Sequence, residues 1–299
     1  MFNKKSRTHF IDFQNWSPDL LQNFFKIVDD LELLPKPTRE GATGALLFFE
    51  PSTRTRISYE TAMWREGMGP LLLDSVTGTS LEKGETLEDT IYNVAAMEPE
   101  VLVVRAGDEV DFKDLSEKIN IPILCAGWGK QSHPSQALLD LYTLRQHFGR
   151  LQGLKLLVVG DVVHSRVVSS LLTLIEKTQI EVAFAAPKEF LPPHSSIKTF
   201  HSLSEGLQWS EAAMFLRVQL ERHQQHFDKE LFIKNFAWDD EKHFKILGDR
   251  KVILHPGPVN YGVELSAKAA RSSQSLILQQ VTNGVKVRRA LLKYARGLI

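Results

Sequence analysis

The sequence predicts an α/β protein built as two doubly wound parallel-sheet domains with the active site between them. Three observations carry this. At 299 residues the chain exceeds the usual span of one hydrophobic core, so two domains of about 150 residues are expected. Short unbroken apolar runs such as Val101-Leu102-Val103-Val104 and Ile121 to Cys125 have the character of strands buried on both faces. Helical patterns follow these runs in series, as crossover-connected parallel strands require.

Lys plus Arg number 36 and Asp plus Glu number 36, so no global field recruits nucleic acid or an anionic membrane, and any anion site must be local. The basic opening Met1 to Arg7 is not followed by an apolar stretch of signal-peptide length, and no segment approaches membrane-spanning length. A single cysteine, Cys125, excludes an internal disulfide and fits the cytoplasm, the expected location. Cys125 lies within an apolar run and is expected to be an inert core residue.

Taken in order, Ser17-Pro18-Asp19 starts a helix with Ser as cap and Pro in the first turn, and Leu20, Leu21, Phe24, Ile27, Val28 and Leu31 form its packing face. Leu46 to Phe49 then read as the end of a buried strand, which Pro51 stops. Ser52 or Thr53 is expected to cap a helix running through Ile57, Ala62 and Met63. Arg54 and Arg56 in its first turn oppose the helix dipole, a conflict that a bound phosphate on the free N–H groups would relieve. A single Ser-Thr pair suits an ordinary capped junction with solvated arginines; two hydroxyl–Arg pairs in succession favour an anion cradle.

Leu71 to Leu73 form a short strand ahead of Gly78 to Glu85, a polar, glycine-bounded segment expected to be mobile. Val101 to Val104 and Ile121 to Cys125 are strands, with Asp111 to Ile119 as the crossover helix. His133 stands just outside a long helix with Gln136 in its first turn. That helix is read as the domain connector, because Gly149 and Gly153 follow it. Leu154 to Val159 is the next strand, ending in Gly160-Asp161-Val162-Val163-His164-Ser165-Arg166, with Val167 to Ile175 helical. The dinucleotide fingerprint Gly-x-Gly-x-x-Gly is absent.

Glu181 to Ala185 is a strand, and the prolines and serines from Pro187 on make a loop. Ala212 to Leu216 is a strand closing on Arg217-Val218-Gln219-Leu220-Glu221-Arg222. His223 to Lys245 is polar, with amphipathic pieces around Phe227 to Phe236, and is expected to be mobile helix or loop. Val252-Ile253-Leu254 lead into His255-Pro256-Gly257-Pro258, where prolines fix the backbone. Ser272 to Leu292 is helical, with Arg288, Arg289 and Lys293 near its end, as the dipole prefers. Arg54, Arg105, His133, Arg166, Arg217 and Pro256 each follow a strand or its loop, the ligand edge of parallel sheets.

Several of these motifs carry a resemblance. Ser52-Thr53-Arg54-Thr55-Arg56 resembles the carbamoyl-phosphate signature of carbamoyltransferases. His133-Pro134-Ser135-Gln136-Ala137-Leu138, Gly160 to Arg166 and Arg217-Val218-Gln219 resemble elements of aspartate carbamoyltransferase catalytic chains, in order along essentially the whole chain.

The resemblance implies carbamoyl transfer from carbamoyl phosphate to L-aspartate, a step of pyrimidine synthesis, without cofactor or metal. It implies that Ser52, Thr53, Arg54, Thr55 and Arg105 hold the phosphate. A neighbouring subunit would add Ser80 and Lys83, Lys83 also serving aspartate. Thr55, Arg105 and His133 would polarise the carbonyl oxygen, while Gln136 and the Pro256-Gly257 backbone hold the carbamoyl amine. Arg54, Thr55, Arg105 and His133 are thus the expected catalytic set, and Arg166, Arg217 and Gln219 bind aspartate.

Residues 1–137, with a C-terminal helix at about 284–299 packing back, would bind carbamoyl phosphate, and 138–283 aspartate. A homotrimer is implied, open to regulatory or dihydroorotase chains, with no nucleic acid and no membrane. Ala106, Trp128, Val168 and Tyr261 depart from the family pattern. The competing readings are a carbamoyltransferase for another amine such as ornithine, whose enzymes carry a His-Cys-Leu-Pro element, and a silent paralogue acting as a subunit partner. No cysteine follows Cys125, and Arg54, His133 and Gln136 are all present.

Overall fold

The computed structural model describes residues 7–34, 41–74, 78–218 and 229–299. The chain divides into two compact units, the first comprising residues 1–139, 169–173 and 281–299 and the second 140–168 and 174–280. In the first unit, strands β1 (Thr43–Phe48), β2 (Gly69–Leu73), β3 (Leu102–Ala106) and β4 (Ile123–Trp128) form an all-parallel sheet in the order β2-β1-β3-β4. In the second, β5 (Lys155–Val159), β6 (Glu181–Ala185), β7 (Lys198–Phe200), β8 (Ala212–Phe215) and β9 (Val252–Leu254) form a parallel sheet in the order β7-β6-β5-β8-β9. The two-sheet α/β class expected from the apolar runs is therefore the observed one.

Each sheet reverses its winding once. In the first unit β1 has its successor β2 on one side and β3 on the other; in the second β5 lies between β6 and β8. At such a reversal the two connecting helices leave toward opposite faces of the sheet, so a crevice opens at the carboxyl ends of the two central strands. The central strands are mostly apolar: β4 is buried at every position, and within β1 and β5 only the first residue, Thr43 and Lys155, is partly exposed. Ile11, Leu47, Val104, Phe112 and Trp128 belong to the first unit's core. Leu157, Phe215, Phe232, Trp238 and Ile253 belong to the second's.

The helix Pro18–Asp29 begins as expected, with the Ser17 side chain accepting from the Leu20 N–H and Pro18 in the first turn. The helix after β1, Arg54–Arg65, does not. Thr53 occupies its cap position with helical dihedrals (φ −83°, ψ −59°) and makes no side-chain cap bond, since a capping hydroxyl needs an extended backbone to reach forward. The segment around Ser80 is a short 3-10 turn, Ser80–Lys83, closed by Gly84, and a helix unexpected from the sequence, Leu87–Ala96, follows.

β7 and the helix Leu203–Trp209 follow the proline- and serine-bearing loop and were not anticipated. Of the polar stretch from His223, residues 229–247 form two helices, Lys229–Phe236 and Asp240–Leu247, that bury Phe232, Phe236, Trp238 and Leu247. The last helix starts at Ile277, later than expected. Its Arg289 and Lys293 do not serve the helix end. Both are buried and reach Glu66, Arg289 by Nε to Oε1 at 2.7 Å and Lys293 by Nζ to Oε2 at 2.7 Å, with Glu32 as a second partner of Arg289. Removing one member of such a buried cluster typically costs about 3–5 kcal/mol, because the remaining charge stays buried.

His243 is 4% exposed in the second unit, with Nδ1 accepting from the Asp239 N–H at 2.8 Å and Nε2 within 3.2 Å of the Ser204 hydroxyl. Burial, with Lys242 adding to it and Asp239 opposing, pushes its pKa down to about 4. Below the ordinary value of 6.5 the unfolded chain takes up a proton that the folded one refuses until about pH 4, so this group withdraws stability as pH falls through that window. Between pH 7 and 4 the parent should lose roughly 2 kcal/mol more than His243→Asn does. Urea unfolding of both proteins across that range measures it, and parallel curves would refute it.

Candidate active site

The first unit gathers its predicted residues other than Ser80 and Lys83 around the reversal between β1 and β3. β1 ends at Phe48, and Pro51 turns the chain into the helix Arg54–Arg65, so the free N–H groups of the first turn open at the sheet's carboxyl edge. Ser52 is half-buried and Thr53 and Arg54 are exposed, while Thr55 is buried. Arg105 lies within β3, one residue from its end, rather than beyond it as the sequence suggested. β4 and a turn closed by backbone bonds between Trp128 and Ser132 deliver His133 to the start of the helix Pro134–Phe148.

These elements meet. Thr55 Oγ1 is 3.4 Å from His133 Nε2, although the two residues are 78 positions apart in sequence. The His133 N–H donates to Ser170 Oγ at 2.9 Å, and the Gln136 N–H donates to the His133 carbonyl at 3.0 Å. Thr55, His133 and Gln136 are each less than 10% exposed, so their polar groups act in a medium that screens little.

The arginines differ in partner. Arg56 pairs with Asp74, and Arg105 Nε lies 3.3 Å from Glu50 Oε2. Arg54 forms no ion pair among the described residues. It is exposed as a residue, yet protein around its guanidinium desolvates it enough to lower its pKa; a guanidinium so shifted remains a cation at neutral pH. A helix N-terminus with a free guanidinium, a second one near Glu50, and a buried Thr–His contact together suit a tetrahedral anion and a carbonyl oxygen acquiring charge. Glu50, Asp74 and Ser170 were not anticipated; Glu50 alone had a visible signal, standing directly before Pro51.

In the second unit, Arg166 opens the helix after β5 and Arg217 stands two residues past β8. The two strand ends are close neighbours, joined by a bond from the Leu216 N–H to the Val159 carbonyl at 2.8 Å. Gly160 makes that approach feasible, with φ +106° and a position where a Cβ would stand 3.1 Å from the Leu216 carbonyl oxygen. Asp161, buried, holds His164 Nδ1 at 2.8 Å and so fixes the loop that presents Arg166. Two planar guanidinium forks at one sheet edge suit carboxylate groups. Pro256 and Gly257 follow β9, both half-buried.

Ser80 and Lys83 sit in their exposed turn, and their side chains make no hydrogen bond or ion pair with the cradle among the described residues. Gln219 lies outside the described residues. Cys125 is buried, with Sγ 3.9 Å from Ser132 Oγ. Among the described residues no group of three or more His, Cys, Asp or Glu side chains is placed to hold a metal ion, and no helix is long and apolar enough to cross a membrane.

Known proteins repeat this order of elements. Residues 8–146 match the carbamoyl-P binding domain of the aspartate/ornithine carbamoyltransferase family, and residues 152–295 match its Asp/Orn binding domain. The aspartate carbamoyltransferase catalytic subunit of Desulfitobacterium hafniense is 41% identical over 266 residues, spanning 87% of this chain and 85% of that protein. Among solved structures, the catalytic subunit of the M. jannaschii aspartate transcarbamoylase superposes with a TM-score of 0.85 at 30% identity, covering 96% of this chain and 97% of that one. The Trypanosoma cruzi aspartate transcarbamoylase in complex with carbamoyl aspartate and phosphate gives a TM-score of 0.82 at 25% identity, with 97% and 96% covered. A relative of this identity over most of both chains, together with both domain models in sequence, means that this chain belongs to the aspartate carbamoyltransferase catalytic-subunit family.

Proposed function

We propose that this enzyme transfers the carbamoyl group of carbamoyl phosphate to L-aspartate, giving N-carbamoyl-L-aspartate and phosphate, within pyrimidine biosynthesis in the cytoplasm. The observation that supports this reading most directly is the buried contact between Thr55 and His133, beside a helix N-terminus that carries Arg54. In this reading Ser52, Thr53, Arg54, Thr55 and Arg105 hold the phosphate of carbamoyl phosphate, and Thr55, Arg105 and His133 donate to its carbonyl oxygen. Gln136 and the Pro256-Gly257 backbone hold the carbamoyl amine. Arg166, Arg217 and Gln219 bind the two carboxylates of aspartate. Residues 1–137 with the returning helical segment at about 284–299 form the carbamoyl-phosphate domain, and 138–283 the aspartate domain.

The chemistry follows from charge. The uncharged amine of aspartate adds to the carbonyl carbon, a C–N bond forms, and negative charge moves onto the carbonyl oxygen. Donors already oriented toward that oxygen stabilise it without reorganisation. The C–O bond to phosphate then breaks, the departing phosphate takes the bonding pair, and one of its oxygens accepts the proton that the amine sheds. Holding both reactants supplies the remaining advantage. Offered radiolabelled carbamoyl phosphate with aspartate, ornithine or putrescine in turn, the enzyme should label aspartate alone. Labelled citrulline from ornithine would overturn the choice of amine.

Arg54→Ala should leave the melting temperature within a few degrees of the parent, since the side chain lies outside the core. It should lower kcat/KM about a hundredfold, matching roughly 3 kcal/mol for one such contact. Near-parental turnover in the folded variant would sink the phosphate role.

The protein is further proposed to be a homotrimer in which Ser80 and Lys83 of one subunit complete a neighbour's site, a heterologous arrangement that closes as a ring. Lys83→Ala and His133→Ala proteins, each nearly inactive, should regain activity when dissociated and reassembled together, because some mixed interfaces then combine intact His133 with intact Lys83. Hybrids verified by native mass that stay inactive would count against a shared site.

A further inference from the structure

A buried hydrogen-bond system surrounds the turn after β9, and none of the roles above uses it. The Gly257 N–H donates to His255 Nδ1 at 2.7 Å, and His255 Nε2 lies 3.1 Å from Glu264 Oε1. The same Oε1 accepts the Asn260 N–H at 2.6 Å, and the Asn260 amide donates to the Val218 carbonyl at 3.1 Å. From the other side the His255 N–H donates to Gln280 Oε1 at 3.0 Å, and Gln280 Nε2 donates to Asp140 Oδ1 at 2.7 Å. His255, Glu264 and Gln280 are each at most 2% exposed.

The tautomer follows from the partners. A backbone N–H can only donate, so Nδ1 must be the unprotonated acceptor and the ring proton must sit on Nε2, where Glu264 accepts it. Glu264 therefore determines which ring nitrogen is free to receive the Gly257 N–H. That N–H belongs to the same planar peptide as the Pro256 carbonyl, and in a trans peptide the two point in opposite directions. Pinning one aims the other. Gly257 adopts φ +74°, a left-handed conformation open to glycine.

We infer that His255 and Glu264 are positioning residues: the carboxylate sets the imidazole tautomer, the imidazole fixes the Pro256-Gly257 peptide, and the Pro256 carbonyl is thereby aimed at the carbamoyl amine. This rests on the reading above, in which that carbonyl holds the amine. Through Asn260 and Val218 the same carboxylate is tied to the segment bearing Arg217, so one buried group steadies a contact to each substrate.

Two substitutions separate aiming from packing. In His255→Asn the amide oxygen takes the place of Nδ1 and still receives the Gly257 N–H. In His255→Gln the amide reaches the place of Nε2, serves Glu264, and leaves the Gly257 N–H without its acceptor. Both lose the ring, so both should lower the melting temperature similarly. His255→Gln should lower kcat about 10- to 100-fold, the penalty of misplacing a reacting group by about 1 Å. His255→Asn should recover most of it, with both KM values within about threefold of the parent. Gly257 amide exchange should be slow in the parent and His255→Asn and fast in His255→Gln.

Equal kcat in two comparably folded variants would overturn the inference. Should His255→Gln not fold, the ring 15N shifts of the parent still decide: a proton on Nδ1 would overturn it too. A parent protein that carbamoylates no aspartate would instead condemn the reading of function, while Gly257 exchange and the ring tautomer continue to judge the pinning itself.

Discussion

The structure depends on a constraint of parallel sheets. All strands end on one edge, and where the winding reverses, two neighbouring strand ends lie side by side with no helix crossing over them. Each unit has one such reversal, at β1/β3 and at β5/β8. The residues with chemistry to perform cluster there: Arg54 and Arg105 in the first unit, Arg166 and Arg217 in the second. The buried apolar strands keep these arginines in place, because a one-residue slip of a strand would turn its core face toward the helices of the other side.

Within that frame the local geometry is held by polar groups that are themselves buried. Asp161 holds His164, Glu264 holds His255 and Asn260, and Ser170 holds the backbone of His133. A buried carboxylate that keeps its hydrogen-bond partners fixes direction better than an apolar contact does, since hydrogen bonds weaken steeply when bent. A loop made to present a charged side chain in one orientation benefits from such anchors, and the two units use them on the same kind of strand-to-helix turn.

Much of this was legible in the sequence. β1, β3, β5 and β9 are built on short apolar runs, as strands buried on both faces are. The arginines and His133 were legible because each follows such a run or the loop after it. What stayed hidden depends on distance or brevity. β7 is three residues long and begins at Lys198, so no periodicity marks it. Glu66 meets Arg289 across 223 positions, and nothing local distinguishes those charges from solvated ones. His255 and Glu264 are nine residues apart in a turn without helical or strand period, so only the folded backbone shows that they touch.

The ion cluster of Glu66, Arg289 and Lys293 bears on how the protein is made. Because the first unit takes residues 281–299 as part of itself, its buried carboxylate has no counter-charge until Arg289 and Lys293 have been synthesised. On the ribosome the second unit, whose residues end at Gln280, has its full sequence first, and the unit that was begun first is completed last. Loss of Arg289 or Lys293 would therefore injure a unit whose carboxylate partner, Glu66, stands 223 positions before Arg289 in sequence.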